Sequence, residues 1–383
     1  MAKLKVMSVF GTRPEAIKMA PLVKELERCA DIESCVCLTG QHRQMLDSVM
    51  EIFSLRGDYD LNIMETKQTL TTITTKTLTG MDAVLDQAQP DLVLVHGDTS
   101  TTFAGALAAF YHQVKIGHVE AGLRTWDKYS PFPEEMNRTM VGDLADLHFS
   151  PTKANADNLK KEAIAGDIFI TGNTAIDAMR YTVRDGFRFS DGALNALDFT
   201  NKRVIAVTCH RRENYGKPMQ DIMQAILTVV EDNPDVEVVY PVHLSPVVRE
   251  CAFPILGGHP RIHLIDPIDV EQMHNLMSRC YMVMTDSGGL QEEAPALGKP
   301  VLVLRKETER PEAIRAGTAR LAGVEKDTII EMANTLLRAP EEYAKMAKAV
   351  NPYGDGRASE RIVQAIAWHF GLRDQKPADF CAE

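Results

Sequence analysis

Two runs of four consecutive aliphatic residues, LVLV at 92–95 and VLVL at 301–304, constrain the fold of this 383-residue chain most tightly. A strand with one wet face alternates apolar and polar residues. A strand without a polar face is buried on both sides, as in a parallel sheet with helices above and below. Similar runs recur. Candidate strands cover 5–10, 34–39, 91–95, 115–119, 147–149 and 167–170, then 203–208, 237–240, 262–265, 282–285 and 300–304. Amphipathic helical patterns fill the gaps, among them 14–29, 99–112, 133–144, 218–231 and 328–337. Strand alternating with helix predicts a doubly wound α/β fold. Between 182 and 202 the pattern weakens into a polar, Gly-bearing stretch before a fresh strand opens at 203. We therefore expect two domains, residues 1–185 and 200–357. The tail after Gly371 reads as loose.

With 45% hydrophobic and 25% charged residues the chain is ordinary globular protein, which excludes disorder. A net charge of -11 supplies no broad basic field, so neither nucleic acid nor a membrane surface is an expected partner. An anionic small molecule would have to meet a few concentrated cations. Seven cysteines are scattered without any CxxC, and Cys35 and Cys37 share one strand face, so both read as core and the cytoplasm as the expected location. No run approaches the roughly 20 apolar residues that span a bilayer.

Ligands of doubly wound folds bind beyond the carboxyl ends of the strands, so polar residues that follow an apolar run are the ones to weigh. After the first strand, Thr12 and Glu15 read as a capping box and Pro14 as a first-turn proline, with Arg13 and Lys18 able to receive an anion. Either can equally be a solvated surface cation. HGDT and GHVEAGLRT each put an acid just past a buried strand, Asp98 and Glu120, with His96 and His118 beside them. Asp98 can simply cap the next helix. Glu120 precedes Ala-Gly rather than a helix, so capping does not explain it. Glu134, in the first turn of the helix after SPFP, suits a helix dipole but is also a third acid at these strand ends. Metal ligation is the rival use, though no HxxxH supports it.

In the second half, HRREN places His210, Arg211 and Arg212 at a strand end, and Ser287, Gly288 and Gly289 stand between a strand and a helix. Glycines there let backbone N–H groups close on a phosphate. Glu293, nearly two turns along, can accept hydrogen bonds from ribose hydroxyls, and Arg310 precedes another helix. Together these point to a nucleoside diphosphate. No GxGxxG occurs, so the dinucleotide fingerprint is missing. The Met-rich stretch MHNLMSRCYMVM reads as core packing.

FGTRPEAIKMAP, QHRQMLD, HGDT, GHVEAGLRT, PEE-N-R, HRREN, PVHLSP, DSGGLQEEAP, TERPEA and NPYGDG, in order from about residue 4 to 372, resemble the bacterial non-hydrolysing UDP-N-acetylglucosamine 2-epimerases. The resemblance implies a GT-B architecture, two Rossmann-like domains facing a central cleft, with a helix near 358–372 packing back on the first domain. It also implies a homodimer, with neither cofactor nor metal. Carried onto matching positions, it puts Arg13, Lys18, Asp98, Glu120, Glu134 and His210 around the sugar and its leaving group. Ser287, Gly288, Gly289, Glu293 and Arg310 fall around UDP. A second UDP-N-acetylglucosamine (UDP-GlcNAc), acting as activator, would meet Gln41, Gln44, Glu135, Arg211 and His243. Lys67 stands where many members have Arg, Ser245 where HLNP is usual, and Ile268 and Met273 where some relatives contact the base.

The chemistry this implies is specific. C2 of an N-acetylhexosamine has no adjacent carbonyl, so its proton is not acidic. Elimination of UDP from C1 with loss of the C2 proton gives a glycal, and re-addition with protonation on the other face gives UDP-N-acetylmannosamine (UDP-ManNAc). That needs acid and base groups on two faces and cations for the departing pyrophosphate. A GT-B glycosyltransferase, a hydrolysing epimerase and a non-catalytic nucleotide-sugar sensor are the alternatives.

Overall fold

The computed structural model describes residues 3–40, 43–65 and 67–382, with only the backbone of 43–45. Among these, thirteen strands form two wholly parallel sheets. The first holds β1 (Leu4–Phe10), β2 (Ile32–Leu38), β3 (Tyr59–Asp60), β4 (Leu92–His96), β5 (Lys115–Val119), β6 (Leu147–Ser150) and β7 (Asp167–Ile170). The second holds β8 (Arg203–Thr208), β9 (Val236–Pro241), β10 (Ile262–Ile265), β11 (Met282–Thr285), β12 (Val301–Val303) and β13 (Ala319–Leu321). Spatial order is β3-β2-β1-β4-β5-β6-β7 in one and β10-β9-β8-β11-β12-β13 in the other. Each order reverses direction once, between β1 and β4 and between β8 and β11. Such reversals open the crevice in which doubly wound folds bind ligands.

The chain divides into two compact units, Met1–Tyr181 with Tyr353–Cys381, and Thr182–Pro352 with Ala382–Glu383. In unit 1 the aliphatic runs split by parity, because successive side chains point to opposite faces. Val6, Leu92 and Leu94 join Leu22, Leu26, Phe149 and Phe169 on one face. Met7, Val93 and Val95 join Met81, Leu85, Ile116 and Val141 on the other. The helix Ala358–His369 adds Ile362, Val363 and Ile366 to the first of these cores. Unit 2 has a core of its own, built from Ile205, Val207, Ile222, Val238, Tyr240 and Met284.

The tail after Gly371 differs from the loose segment expected. The Phe380 N–H donates to Ile170 O at 2.7 Å, Asp379 Oδ1 accepts the Ile170 N–H at 2.9 Å, and the Phe380 ring is buried. The exposed backbone of edge strand β7 supplies those partners, and local composition carries no sign of them. The edge strands β3 and β13, two and three residues long, also escaped the sequence pattern. Among the described residues no helix is long and apolar enough to cross a membrane.

Candidate active site

Unit 1 assembles its polar groups at the ends of β1, β4 and β5. Thr12 caps the helix Arg13–Arg28, and Glu15 closes the box by accepting the N–H groups of Gly11 at 2.9 Å and Thr12 at 2.7 Å. The other Glu15 oxygen accepts the Thr99 hydroxyl at 2.6 Å, which buckles the turn after β1 to the turn after β4. Arg13, first in the helix, is exposed. One turn on, the Lys18 ammonium pairs with Glu120.

Register aligns His96 of β4 with Val119 of β5, so the residues that follow, Asp98 and Glu120, leave neighbouring strands. Glu120 has φ 63, a left-handed conformation uncommon outside glycine, and Gly122 follows at φ 89 with Asn155 O where a Cβ would stand. Holding a non-glycine residue in this conformation costs about 1–3 kcal/mol, which the surrounding contacts must offset. His96 Nε2 and Asn173 Nδ2 each lie 3.3 Å from the Glu120 oxygen that Lys18 holds. Burial opposes ionisation of Glu120, but Lys18 and His96 outweigh it and keep the carboxyl well below the usual carboxylate range. Burial pushes His118 down to about 3, and this neutral ring donates from Nε2 to Gly97 O at 2.7 Å, just before Asp98.

Asp98 does not cap the following helix. Thr99 is the cap, its hydroxyl oxygen accepting the Thr102 N–H at 3.1 Å, which leaves the Asp98 carboxylate for Arg138 at 2.8 Å. Burial raises the Asp98 pKa; Arg138 and Lys18 oppose this, while Glu120 and Glu134 add to it as neighbouring negative charges. The helix Glu134–Leu144 supplies Glu134 from its first turn, Arg138 from its second and Asn137, whose amide donates to Asp98 O at 2.9 Å. Glu135, next in the helix, reaches the same guanidinium, its Oε2 3.5 Å from Arg138 Nη1. It is buried and accepts the N–H groups of Thr125 and Trp126 at 3.0 and 2.9 Å.

Unit 2 repeats the placement at the ends of β8 and β11. Thr208 and Thr285 are register partners with hydroxyls 2.6 Å apart. Asp286, fully buried, accepts the N–H groups of His210 and Arg211, both at 2.8 Å, and Asn214 Nδ2 at 3.1 Å. It thus joins the His210–Arg211 turn to the strand that ends in Ser287-Gly288-Gly289. His210 stacks on His243 with ring centroids 5.3 Å apart, and burial lowers its pKa against the pull of Asp286. Ser287 is the N-cap of the helix Gly288–Ala296, with no side-chain cap bond of its own. A Cβ on Gly288 would lie 3.9 Å from guanidinium nitrogens of both Arg211 and Arg310, so two cations flank the helix start. Arg310 is anchored by buried Glu292. A helix N-terminus between two guanidiniums has the geometry and the charge to receive an anion.

The family profile described as UDP-N-acetylglucosamine 2-epimerase matches residues 24–367. The chain belongs to this family. It is 56% identical to the UDP-N-acetylglucosamine 2-epimerase of Bacillus subtilis over 381 residues, 99% of either chain. A solved UDP-N-acetylglucosamine 2-epimerase structure superposes with TM-score 0.92 at 54% identity, covering 100% of both chains. That of the Neisseria meningitidis enzyme, bound to UDP-GlcNAc, gives TM-score 0.85 at 47% identity, covering 95% of this chain and 99% of the other. The fold class is therefore GT-B, two Rossmann-like α/β domains, and the chain is an isomerase of this family.

Within the family frame, unit 1 brings together Lys18, Asp98, Glu120 and Glu134, and unit 2 brings together His210, Arg211, His243, Ser287, Gly288, Gly289, Glu293 and Arg310. Gln41 and the side chain of Gln44 lie outside the described residues. Three residues were not singled out from sequence. Arg138 and Asp286 stand inside quoted motifs, but only the fold shows them as the partners of Asp98 and His210. His274, from the Met-rich stretch read as packing, is indeed core at 0% exposure, yet its Nε2 lies 3.3 Å from Glu293. Among the described residues no group of three or more His, Cys, Asp or Glu is placed to hold a metal ion.

Proposed function

We propose that this epimerase interconverts UDP-GlcNAc and UDP-ManNAc by elimination and re-addition. One carboxylate takes the C2 proton while the C1–O bond breaks and UDP leaves with the bonding pair, giving 2-acetamidoglucal. UDP then re-forms the C1–O bond as a second carboxyl delivers a proton to the other face of C2. What carries this reading is two acids just past adjacent strands in unlike surroundings. Glu120 lies beside Lys18 and His96, which hold it ionised, and Asp98 beside Arg138 but desolvated and near Glu120 and Glu134, which favour its proton. A base and an acid coexisting at one pH are what the two faces of C2 require. Glu134 is the third member, its charge favouring the protonated form of Asp98.

The nucleotide is assigned to unit 2. The Ser287–Gly289 helix start, Arg310 and His210 stabilise the departing pyrophosphate, and Glu293 meets the ribose. The flanking guanidiniums support this placement, and the relative solved with UDP-GlcNAc bound supports the ligand. The same reading gives a homodimer working in the cytoplasm, with a second UDP-GlcNAc as activator at Gln41, Gln44, Glu135, Arg211 and His243. For the activator, the support is the family resemblance and the closeness of Arg211 and His243 to His210 on unit 2.

The test is to incubate the protein with UDP-GlcNAc in D2O without additives and follow proton NMR. UDP-ManNAc is expected, with deuterium at C2 of the recovered pool. Epimerisation without deuterium at C2 would rule out proton exchange there, and free N-acetylmannosamine would mean hydrolysis.

A further inference from the structure

Glu293 projects from the helix Gly288–Ala296, and its two oxygens have different surroundings. One, Oε1, lies 3.5 Å from where a Cβ on Gly289 would stand, beside the helix start and near Ser287 Oγ. The other, Oε2, lies 3.3 Å from His274 Nε2. A carboxylate can only accept, so this contact is a hydrogen bond when Nε2 carries the ring proton. His274 sits on the helix Val270–Arg279 with 0% exposure, and its Nδ1 is 2.7 Å from the Thr182 hydroxyl, which can accept or donate. Thr182 is in turn fixed from the same helix, where buried Asn275 donates to Thr182 O at 2.7 Å and accepts the Arg184 N–H at 3.0 Å. The order is therefore hydroxyl, imidazole, carboxylate, with the far end tied to backbone.

We infer that His274, oriented by Thr182, is the positioning residue that lets Glu293 read the ribose hydroxyls. An unsupported glutamate in the second turn of a helix has several rotamers. Holding one oxygen by a buried ring leaves the other aimed toward the phosphate-binding helix start, and freezes the side chain before the ligand arrives. Preorganisation of that kind appears as selectivity for a hydroxyl rather than as general affinity, because only the hydroxyl uses the fixed oxygen. The inference rests on the proposed placement of UDP on unit 2.

The experiment is calorimetric titration of the full chain with UDP and with 2′-deoxy-UDP, plus inorganic pyrophosphate to report an intact phosphate site. Wild type should favour UDP by about tenfold or more, the worth of a hydrogen bond to a charged group. His274→Phe should bring that ratio to within about twofold while pyrophosphate binding is retained, and His274→Gln, which can still donate, should recover part of it. Thr182→Val, close in shape, should lower the ratio with no change in pyrophosphate binding, and it stands in where the Phe variant does not fold. A wild-type ratio in both His274→Phe and Thr182→Val overturns the inference. Glu293→Ala separates the two levels. If it abolishes discrimination while the His274 and Thr182 variants do not, the inference alone fails. If it leaves discrimination intact, the assignment of Glu293 to the ribose fails and the inference with it.

Discussion

Asp98 and Glu120 carry the same functional group at the ends of adjacent strands, and their neighbours separate them. Lys18 and His96 face Glu120, whereas Asp98 has Arg138 on one side and the negative charges of Glu120 and Glu134 on others. A raised pKa means that Asp98 holds its proton to higher pH than an ordinary aspartate and loses it as pH climbs through that raised value. A lowered pKa means that Glu120 stays ionised until pH falls through its depressed value. Turnover that uses protonated Asp98 and ionised Glu120 should therefore fall on the alkaline side through Asp98 and on the acid side through Glu120. Asp98→Asn should cost about 10²–10⁴ in kcat and remove the alkaline limb, read from initial rates of UDP-ManNAc formation across pH. A variant within tenfold of wild type that kept its alkaline limb would show that another group titrates. Both acids were legible in the sequence because an acid after an unbroken apolar run is out of place. Their opposite tuning was not, because Arg138 enters from a helix forty residues beyond Asp98 and sequence spacing says nothing of which way its guanidinium turns.

The helix Ala358–His369 begins without a cap from its own segment, since Arg357 at the N-cap position makes no side-chain bond there. Asp177, buried on the helix Thr174–Thr182, does that job from a distance in sequence. Its Oδ1 accepts the Ser359 N–H at 2.8 Å and its Oδ2 the Ala358 N–H at 3.2 Å. Four N–H groups at a helix start lack intrahelical partners, and a carboxylate there also meets the positive end of the dipole. Asp177→Ala should lower unfolding stability by about 1–3 kcal/mol, the cost of leaving buried donors unpaired, and Asp177→Asn by less. Burial raises the Asp177 pKa against those bonds. Relative to the unfolded chain, its protonated form therefore contributes fully below the ordinary aspartate range and loses that contribution as pH rises through the raised value. Urea midpoints measured across acid pH should show this slope in wild type and lack it in Asp177→Asn. A cap of this kind cannot be read locally. The sequence pattern located most of the strands and the body of this helix, since periodicity is local, but it offered no residue at the head of this one.

Across the whole molecule, two units whose cores are built from different stretches of chain imply that damage to one need not unfold the other. The last helix makes the division testable, because it lies far from unit 1 in sequence and inside its core in space. Ile362, Val363 and Ile366 are buried there, and Phe380 closes over the edge of β7. Each such side chain contributes about 1.5–3 kcal/mol by burial, so losing them together approaches the roughly 5–15 kcal/mol that holds a whole domain. Among the described residues, the unit 2 core that holds Ile205 and Val238 includes none from 358–382. A chain ending at Arg357 should accordingly lose cooperative unfolding of unit 1 and all epimerase activity. It should still bind UDP by calorimetry, and saturating UDP at about a hundredfold its Kd should raise the surviving transition by about 2.7 kcal/mol. Loss of UDP binding together with unit 1 would mean that the nucleotide site draws on both units for its stability. Retention of two cooperative transitions would mean that the last helix is dispensable to the core it enters.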